Sequence, residues 1–171
     1  DLADPLLIHT FKNAGTYYLQ VRDVNYGGNA NWTYVLQATT GPYPTSVFPT
    51  AVNPGKPASL MGTGVNFDAS KPLTTKIPVE AGGIHPFVLD SSSGRTQPIP
   101  LVVTKLPIVP EVSDTSEEFA KAQVVTLPSA ICGRLAERND LDTYRFEAKK
   151  GQIYSFEVAS RRAGSGADPV L

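Results

Sequence analysis

The stretch "FEAKKGQIYSFEV", residues 146–158, decides which fold this chain can adopt. Apolar and polar side chains alternate on either side of a "KKG" tip, and successive side chains of a β-strand point to opposite faces of a sheet. The pattern therefore predicts two strands joined by a turn, with one face on a core and the other in water. A looser copy, "FKNAGTYYLQV", occupies residues 11–21. Either a module is repeated, or one module is divided between the two ends of the chain.

The first forty residues around the second copy read as three strands. Residues 6–11 and 16–22 alternate and are joined by "KNAG", in which Gly15 can take the positive φ that a hairpin turn needs. A glycine-rich loop then leads to a third strand at 32–39. The breaker "GPYP", residues 41–44, predicts a module boundary.

The middle of the chain has a different texture. From residue 43 to about 104, prolines recur at regular intervals and Gly62 and Gly64 lie two apart. Segments such as "TTKIPV", "HPFVLD" and "IPLVVTKL" supply about six short strands, with "SSSGRT" as a hairpin tip. This spacing predicts an immunoglobulin-like sandwich.

The last third begins with a linker at 107–123 that contains the only helix candidate. Thr115 and Glu118 have the spacing of a capping box, so at most one short helix is expected, near 115–122. Five strands are predicted after it, at 123–127, 130–135, 142–148, 152–160 and 168–171. The fold class expected for the whole chain is therefore all-β, built of antiparallel β-sandwich modules.

Composition excludes several classes of function. Lys and Arg number 15 against 16 Asp and Glu, so there is no electrostatic case for binding nucleic acid. No apolar run is long enough for a membrane span. Cys132 is the single cysteine, which excludes an internal disulfide and favours a small buried apolar role. Asp1 opens directly into strand-like sequence, so we expect the chain to be a piece of a longer protein.

The two ends resemble complementary halves of a bacterial pre-peptidase C-terminal (PPC) domain. Residues 125–171 resemble its first half, in the variant common in large secreted proteins of planctomycete-type bacteria, through Leu127-Pro128, Ile131, Gly133, Asp140, Asp142, Tyr144, Phe146, Gly151-Gln152, Arg161-Arg162, Gly164-Ser165 and Asp168-Pro169. Residues 1–41 resemble its second half through Asp4-Pro5, Ala14-Gly15-Thr16-Tyr17, Arg22-Asp23, Gly27-Gly28 and Tyr34-Val35-Leu36.

The middle is similar to an IPT/TIG-type immunoglobulin-like domain. The resemblance rests on Ser46-Val47, Pro49, Gly55, Gly62, Gly64 and Asn66-Phe67. The resemblances imply four parts: 1–41, the C-terminal half of a PPC-like jelly-roll sandwich; 42–106, the immunoglobulin-like sandwich; 107–124, a linker and PPC start; and 125–171, the N-terminal half of a PPC-like sandwich. Each half alone would expose strand edges, so either missing pieces complete it or the two halves pair as a permuted sandwich.

No catalytic constellation is evident. His9 and His85 read as packed or edge residues, and no nucleophile elbow or phosphate loop is present. Oxygen ligands are the exception: "RNDLDT" places Asn139, Asp140 and Asp142 within four residues, and calcium takes six to eight oxygens. Members of the resembled family that bind collagen use calcium in nearby loops, which makes calcium the one cofactor to consider. The plainer interpretation is a turn followed by a solvated strand end.

Four side chains are candidates for a binding surface. Tyr26 and Trp32 flank the Gly27-Gly28 loop and could stack on a sugar or a protein partner, although alternation favours a core role for about half of the nearby aromatics. Arg161 and Arg162 could contact an anionic glycan or a partner, although a solvated surface is the simpler interpretation.

The expected function is a non-catalytic structural, adhesion or binding module of a large multidomain bacterial protein that is secreted, periplasmic or on the cell surface. Its expected partners are other sandwich domains of the same protein, envelope proteins, or a glycan or protein ligand. The alternative is an accessory C-terminal region of a secreted protease or other hydrolase whose catalytic domain lies outside this chain. A third hypothesis is a subunit of an envelope complex whose edge strands pair with neighbours.

Overall fold

The structure is a computed structural model that describes residues 4–112 and 119–171. The chain is all-β, as predicted, and the described residues contain no helix longer than one 3₁₀ turn. The strands are β1 (Tyr43–Phe48), β2 (Ala51–Val52), β3 (Pro57–Val65), β4 (Leu73–Lys76), β5 (Gly83–Phe87), β6 (Asp90–Ser91), β7 (Gly94–Arg95), β8 (Ile99–Val103), β9 (Ile108–Pro110), β10 (Gln123–Val124), β11 (Ala130–Cys132) and β12 (Tyr144–Arg145). The 3₁₀ turns are Phe119–Lys121 and Arg161–Ala163.

Strands β1 to β8 form two sheets around one core. The first sheet has the order β1-β3-β4-β6-β7 and is antiparallel throughout. The second has the order β2-β8-β5, in which β5 is antiparallel and β2 parallel to β8. The chain passes from the first sheet to the second between β1 and β2, as corner strands of sandwiches do.

The core follows from period-two burial along the strands. In β3, Ala58, Leu60 and Gly62 are buried while their neighbours are exposed. Apolar side chains of both sheets meet in a single buried cluster, which consists of Val47, Val52, Ala58, Leu60, Leu73, Ile77, Leu89, Leu101 and Val103. The predicted strands of the middle segment, and its hairpin tip at 91–96, are therefore confirmed as a β-sandwich-like arrangement.

Gly64 is required by a bulge in the first sheet. The β1–β3 register shifts between Pro44 and Ser46, which brings the backbone of β1 over Gly64. Gly64 has φ +152°, and a Cβ atom there would lie 2.2 Å from the carbonyl oxygen of Tyr43. Only glycine combines this φ with such a close approach of another backbone.

Thr96 is the buried polar residue of this sandwich among the described residues. Its Oγ1 accepts the Leu89 N–H at 3.0 Å and donates to the Gln97 carbonyl at 2.7 Å. The Thr96 N–H in turn donates to the Leu89 carbonyl at 2.9 Å. The Thr96 hydroxyl thus accepts a hydrogen bond from the Leu89 amide, which would otherwise be buried without a partner.

Residues 107–171 pack against the sandwich through short contacts. Two small parallel ladders, β9 with β11 and β10 with β12, organise this segment. The Arg134 guanidinium lies 4.4 Å from the centre of the Phe48 ring. Gly164 packs so closely on Pro100 that a Cβ would lie 2.8 Å from its Cγ.

Several predicted strands are wrong. Residues 6–11, 16–22, 32–39, 152–160 and 168–171 contain no hydrogen-bonded strand. Alternation shows that one side of a segment is apolar, but a strand also needs a neighbour for its N–H and C=O groups, and small sheets without a second layer are marginal. The ladders that do form at 123–124, 130–132 and 144–145 are shorter than predicted.

The helix predicted near 115–122 falls only partly on residues that the structure describes. Within 119–122, Phe119–Lys121 forms a single 3₁₀ turn. Thr115 and Glu118, the proposed capping pair, lie outside the described residues.

The chain divides into two compact units, Asp1–Ala38 and Thr39–Leu171. The first unit is held by local contacts. The centres of the Phe11 and Tyr17 rings are 4.2 Å apart, and the Tyr17 hydroxyl donates to the Asn13 carbonyl at 2.7 Å. The four-part division proposed from the resemblances stays a prediction. No helix in the described parts of the chain has the length and apolarity to cross a bilayer.

Candidate functional site

The predicted calcium ligands lie in the turn between β11 and β12. Asn139 has φ 66°, a left-handed conformation that asparagine tolerates. The Asp140 carboxylate accepts the Ala136 N–H at 2.6 Å, and the Asp140 N–H donates to the Glu137 carbonyl at 3.4 Å. Asn139 and Asp140 therefore shape the turn, which is the plainer role expected for them.

Asp142 lies with Tyr144 above Gly133. A Cβ at Gly133 would be 2.5 Å from the Tyr144 Oη and 2.8 Å from the Asp142 Oδ2, so both oxygens occupy the space that the missing side chain leaves. Burial raises the pKa of the Tyr144 phenol, and the nearby Asp142 carboxylate raises it further, followed by that of Glu111. This phenol therefore stays protonated at pH values at which exposed tyrosines ionise.

Glu111 is a member of this region that sequence reasoning missed. Its carboxylate accepts the Arg134 N–H at 3.0 Å across 23 residues of sequence, and its own N–H donates to the Cys132 carbonyl at 2.8 Å. No local pattern links positions so far apart, because their approach depends on the β9–β11 ladder.

These carboxylates do not converge as a full metal site. Within residues 4–112 and 119–171, no group of three or more His, Cys, Asp or Glu side chains is placed to hold a metal ion. One carboxylate oxygen of Asp140 also accepts a hydrogen bond from a backbone amide. Calcium binding by Asn139, Asp140 and Asp142 stays a prediction.

The arginine pair of the predicted binding surface is engaged locally. The Arg161 guanidinium lies 3.2 Å from the Asp168 carboxylate, and that of Arg162 pairs with Glu157. Both pairs are exposed, so they contribute little to stability. The Asp168 and Glu157 carboxylates already pair with the two guanidinium groups that an anionic ligand would contact. This favours the solvated-surface interpretation.

The aromatic pair lies in a loop of the first unit, residues 22–32, that internal bonds hold in shape. The Asp23 carboxylate accepts the N–H groups of Asn25 and Gly27, each at 2.9 Å. The Tyr26 N–H donates to the Asp23 carbonyl at 3.1 Å. The Arg22 guanidinium sits 4.3 Å from the centre of the Tyr26 ring, a cation–π distance.

Trp32 completes this loop. Its indole packs on Gly27, where an added Cβ would lie 3.4 Å from the ring. Tyr26 remains 79% exposed and Trp32 64% exposed. The structure therefore places both aromatics at the surface, whereas alternation favoured a core role for about half of the aromatics in this segment.

The two histidines contact neighbouring groups of the protein and the cysteine is buried, which favours a structural role for each. The His9 ring contacts the Phe11 ring edge to face at 4.8 Å. The His85 Nε2 lies 2.5 Å from the Gly82 carbonyl. Cys132 is buried, and burial raises the pKa of its thiol, which disfavours the reactive thiolate.

Comparisons with protein-family models, with curated proteins and with solved structures found no match to this chain.

Proposed function

We propose that this chain is a non-catalytic structural and binding part of a large bacterial protein that acts outside the cytoplasm, in the periplasm, in secreted form or on the cell surface. Under this proposal the sandwich is a spacer of immunoglobulin-like type and the flanking segments are halves of PPC-like modules. The basis for the module names is the motif resemblance at 1–41, 42–106 and 125–171.

The observation that carries the proposal is the apolar surface of the first unit. Large apolar side chains between residues 6 and 36 are about half exposed or more, where single-domain proteins normally bury most such groups. They are Leu6, Leu7, Ile8, Phe11, Tyr17, Tyr18, Leu19, Val21, Val24, Tyr26, Trp32, Tyr34, Val35 and Leu36. Exposed apolar surface of this kind marks sites of interaction.

A hydrolysis assay on the complete chain tests the non-catalytic part of the proposal. Casein and a set of simple ester substrates would be incubated with the unmutated chain and with His9→Ala, His85→Ala and Cys132→Ala. We expect the same background rate for all four proteins. Turnover by the unmutated chain that any one of these substitutions abolishes would overturn the proposal.

A further inference from the structure

The loop at residues 22–32 stores backbone strain on an aromatic residue. Tyr26 has φ 58°, whereas the other described non-glycine residues with positive φ are Asn66 and Asn139. A left-handed conformation is unfavourable for a bulky L-residue, because its Cβ crowds the following carbonyl oxygen. Gly27 and Gly28 follow directly and would adopt a left-handed conformation without strain. The strained residue is instead Tyr26, which carries an aromatic ring.

Strain of this kind persists only where the surroundings enforce it, and it is concentrated at functional positions. Here Asp23 binds two amides of the loop, and Arg22 covers one face of the Tyr26 ring. The Tyr26 ring is thus held while still largely exposed, and a ligand that docks on a held side chain pays less ordering entropy.

Trp32 supplies a second flat surface in the same loop. Its contact with Gly27 fixes the indole from one side, and nearly two thirds of the side chain stays in solvent. Tyrosine, tryptophan, asparagine and glycine together are also the residues that recognition loops favour, because they combine rigid contact area with adaptable hydrogen bonding.

The charges of the loop define the chemistry of its ligand. Its formal charges are those of Arg22 and Asp23, and both serve the loop itself: Arg22 donates to the carbonyls of Asp23 and Val24, and Asp23 accepts backbone amides. Both charged side chains of the loop, Arg22 and Asp23, are therefore engaged within the loop and do not favour an ionic ligand. Asn25 and Asn31 carry amide groups that both donate and accept, which suits hydroxyl groups, and Asn29 adds its amide N–H groups while its Oδ1 accepts the Asn31 N–H at 2.9 Å.

We infer that residues 22–32 bind a neutral polysaccharide, with sugar rings stacked on Trp32 and Tyr26 and hydroxyls bonded to the asparagine amides. This inference rests on the proposed binding function and names the class of ligand. The loop lies wholly within the first unit, so it requires no other part of the chain.

Trp32 is the only tryptophan of the chain, so tryptophan fluorescence reports on this loop alone. The complete chain would be titrated separately with cellohexaose, chitohexaose and maltohexaose. We expect a saturable change in emission with at least one of them. Three flat titrations up to millimolar sugar would overturn the inference.

Tyr26→Asn separates binding from folding, because asparagine tolerates the left-handed conformation and removes the ring. We expect its unliganded emission spectrum to match that of the unmutated chain and its affinity for the sugar to fall about tenfold, the equivalent of one lost contact of about 1.4 kcal/mol. Tyr18→Ala is the matched control, since Tyr18 is an aromatic residue that is 95% exposed outside the loop. Equal affinity of Tyr26→Asn and the unmutated chain would contradict the inference.

The last measurement is the emission of Trp32 in a dilution series of the chain without sugar. If the emission of Trp32 changes with the concentration of the chain itself, a second copy covers the loop and the polysaccharide inference is wrong. A failure in any of these arms leaves the hydrolysis result untouched, so loss of this inference is distinguishable from loss of the proposed function.

Discussion

Replacement of Gly64 by alanine tests the reasoning about the β1–β3 bulge. The new Cβ would lie 2.2 Å from the Tyr43 carbonyl oxygen, 2.7 Å from the Pro44 Cα and 3.0 Å from the Thr45 nitrogen. All three are backbone atoms of the neighbouring strand, so no side chain can swing aside to make room. The φ of +152° must also change or be borne by an L-residue.

The cost follows from two terms and one offset. Residues held in sparsely populated φ regions cost roughly 1–3 kcal/mol, and overpacking costs typically about 1–3 kcal/mol. Alanine also restricts the unfolded chain, which returns about 0.4–1 kcal/mol. We therefore expect Gly64→Ala to lower the free energy of unfolding of the sandwich by roughly 1–6 kcal/mol.

Urea unfolding followed by the methyl NMR signals of Leu60 and Leu73 measures this loss within the sandwich core. Gly82→Ala is the matched control, because no heavy atom lies within 4 Å of its Cβ position. We expect this control to stay within about 0.5 kcal/mol of the unmutated chain. A Gly64→Ala protein as stable as Gly82→Ala would refute the bulge geometry.

Three further predictions concern the buried hydroxyl, the buried phenol and the candidate calcium turn. Thr96→Val leaves the Leu89 amide without its acceptor and should cost about 1–3 kcal/mol of unfolding free energy by urea titration, whereas Thr96→Ser should cost much less. Because burial and the Asp142 carboxylate raise the pKa of Tyr144, the folded state keeps the phenol proton after the unfolded chain has lost it; this contribution to stability should be complete below pH about 10 and decline as pH rises above it, and urea titrations of Tyr144→Phe should show a shallower decline, since the buried Cys132 thiol still contributes. If calcium binds the turn, isothermal titration should give saturable heat with the unmutated chain and none with Asp140→Ala or Asp142→Ala; absence of heat in the unmutated chain removes the calcium hypothesis.

The spacing of short strands and turn residues in the middle segment predicted the sandwich, because those strands enter one shared core. The predicted strand "IPLVVTKL" contains β8, whose Leu101 and Val103 are buried there. The transfer of the chain from one sheet to the other between β1 and β2 was not predicted, since it depends on two sheets meeting in space. Gly62 and Gly64 stand two apart in the sequence, but the structure shows that the bulge requires Gly64.

The first unit shows where the same reasoning fails. Residues 16–22 alternate as a strand should, yet no ladder forms in the first unit as described, because alternation carries no information about a hydrogen-bonding neighbour. Tyr26 and Trp32 mark the candidate loop in the sequence, but no local pattern indicates that Arg22 and Asp23 support it. The positive φ of Tyr26 had no signal in the sequence, since glycine adopts such a conformation more readily and two glycines follow directly.

Hydrogen exchange of the complete chain, read amide by amide, tests most directly whether the chain contains both a stable sandwich and a unit whose backbone is open for binding. The slowest exchange is expected at ladder amides of β3, β4 and β8, with rapid exchange throughout 6–22 and 32–39. Slow exchange in 6–22 that equals that of β3 would mean that a strand ladder exists in the first unit, and it would contradict this description of the molecule.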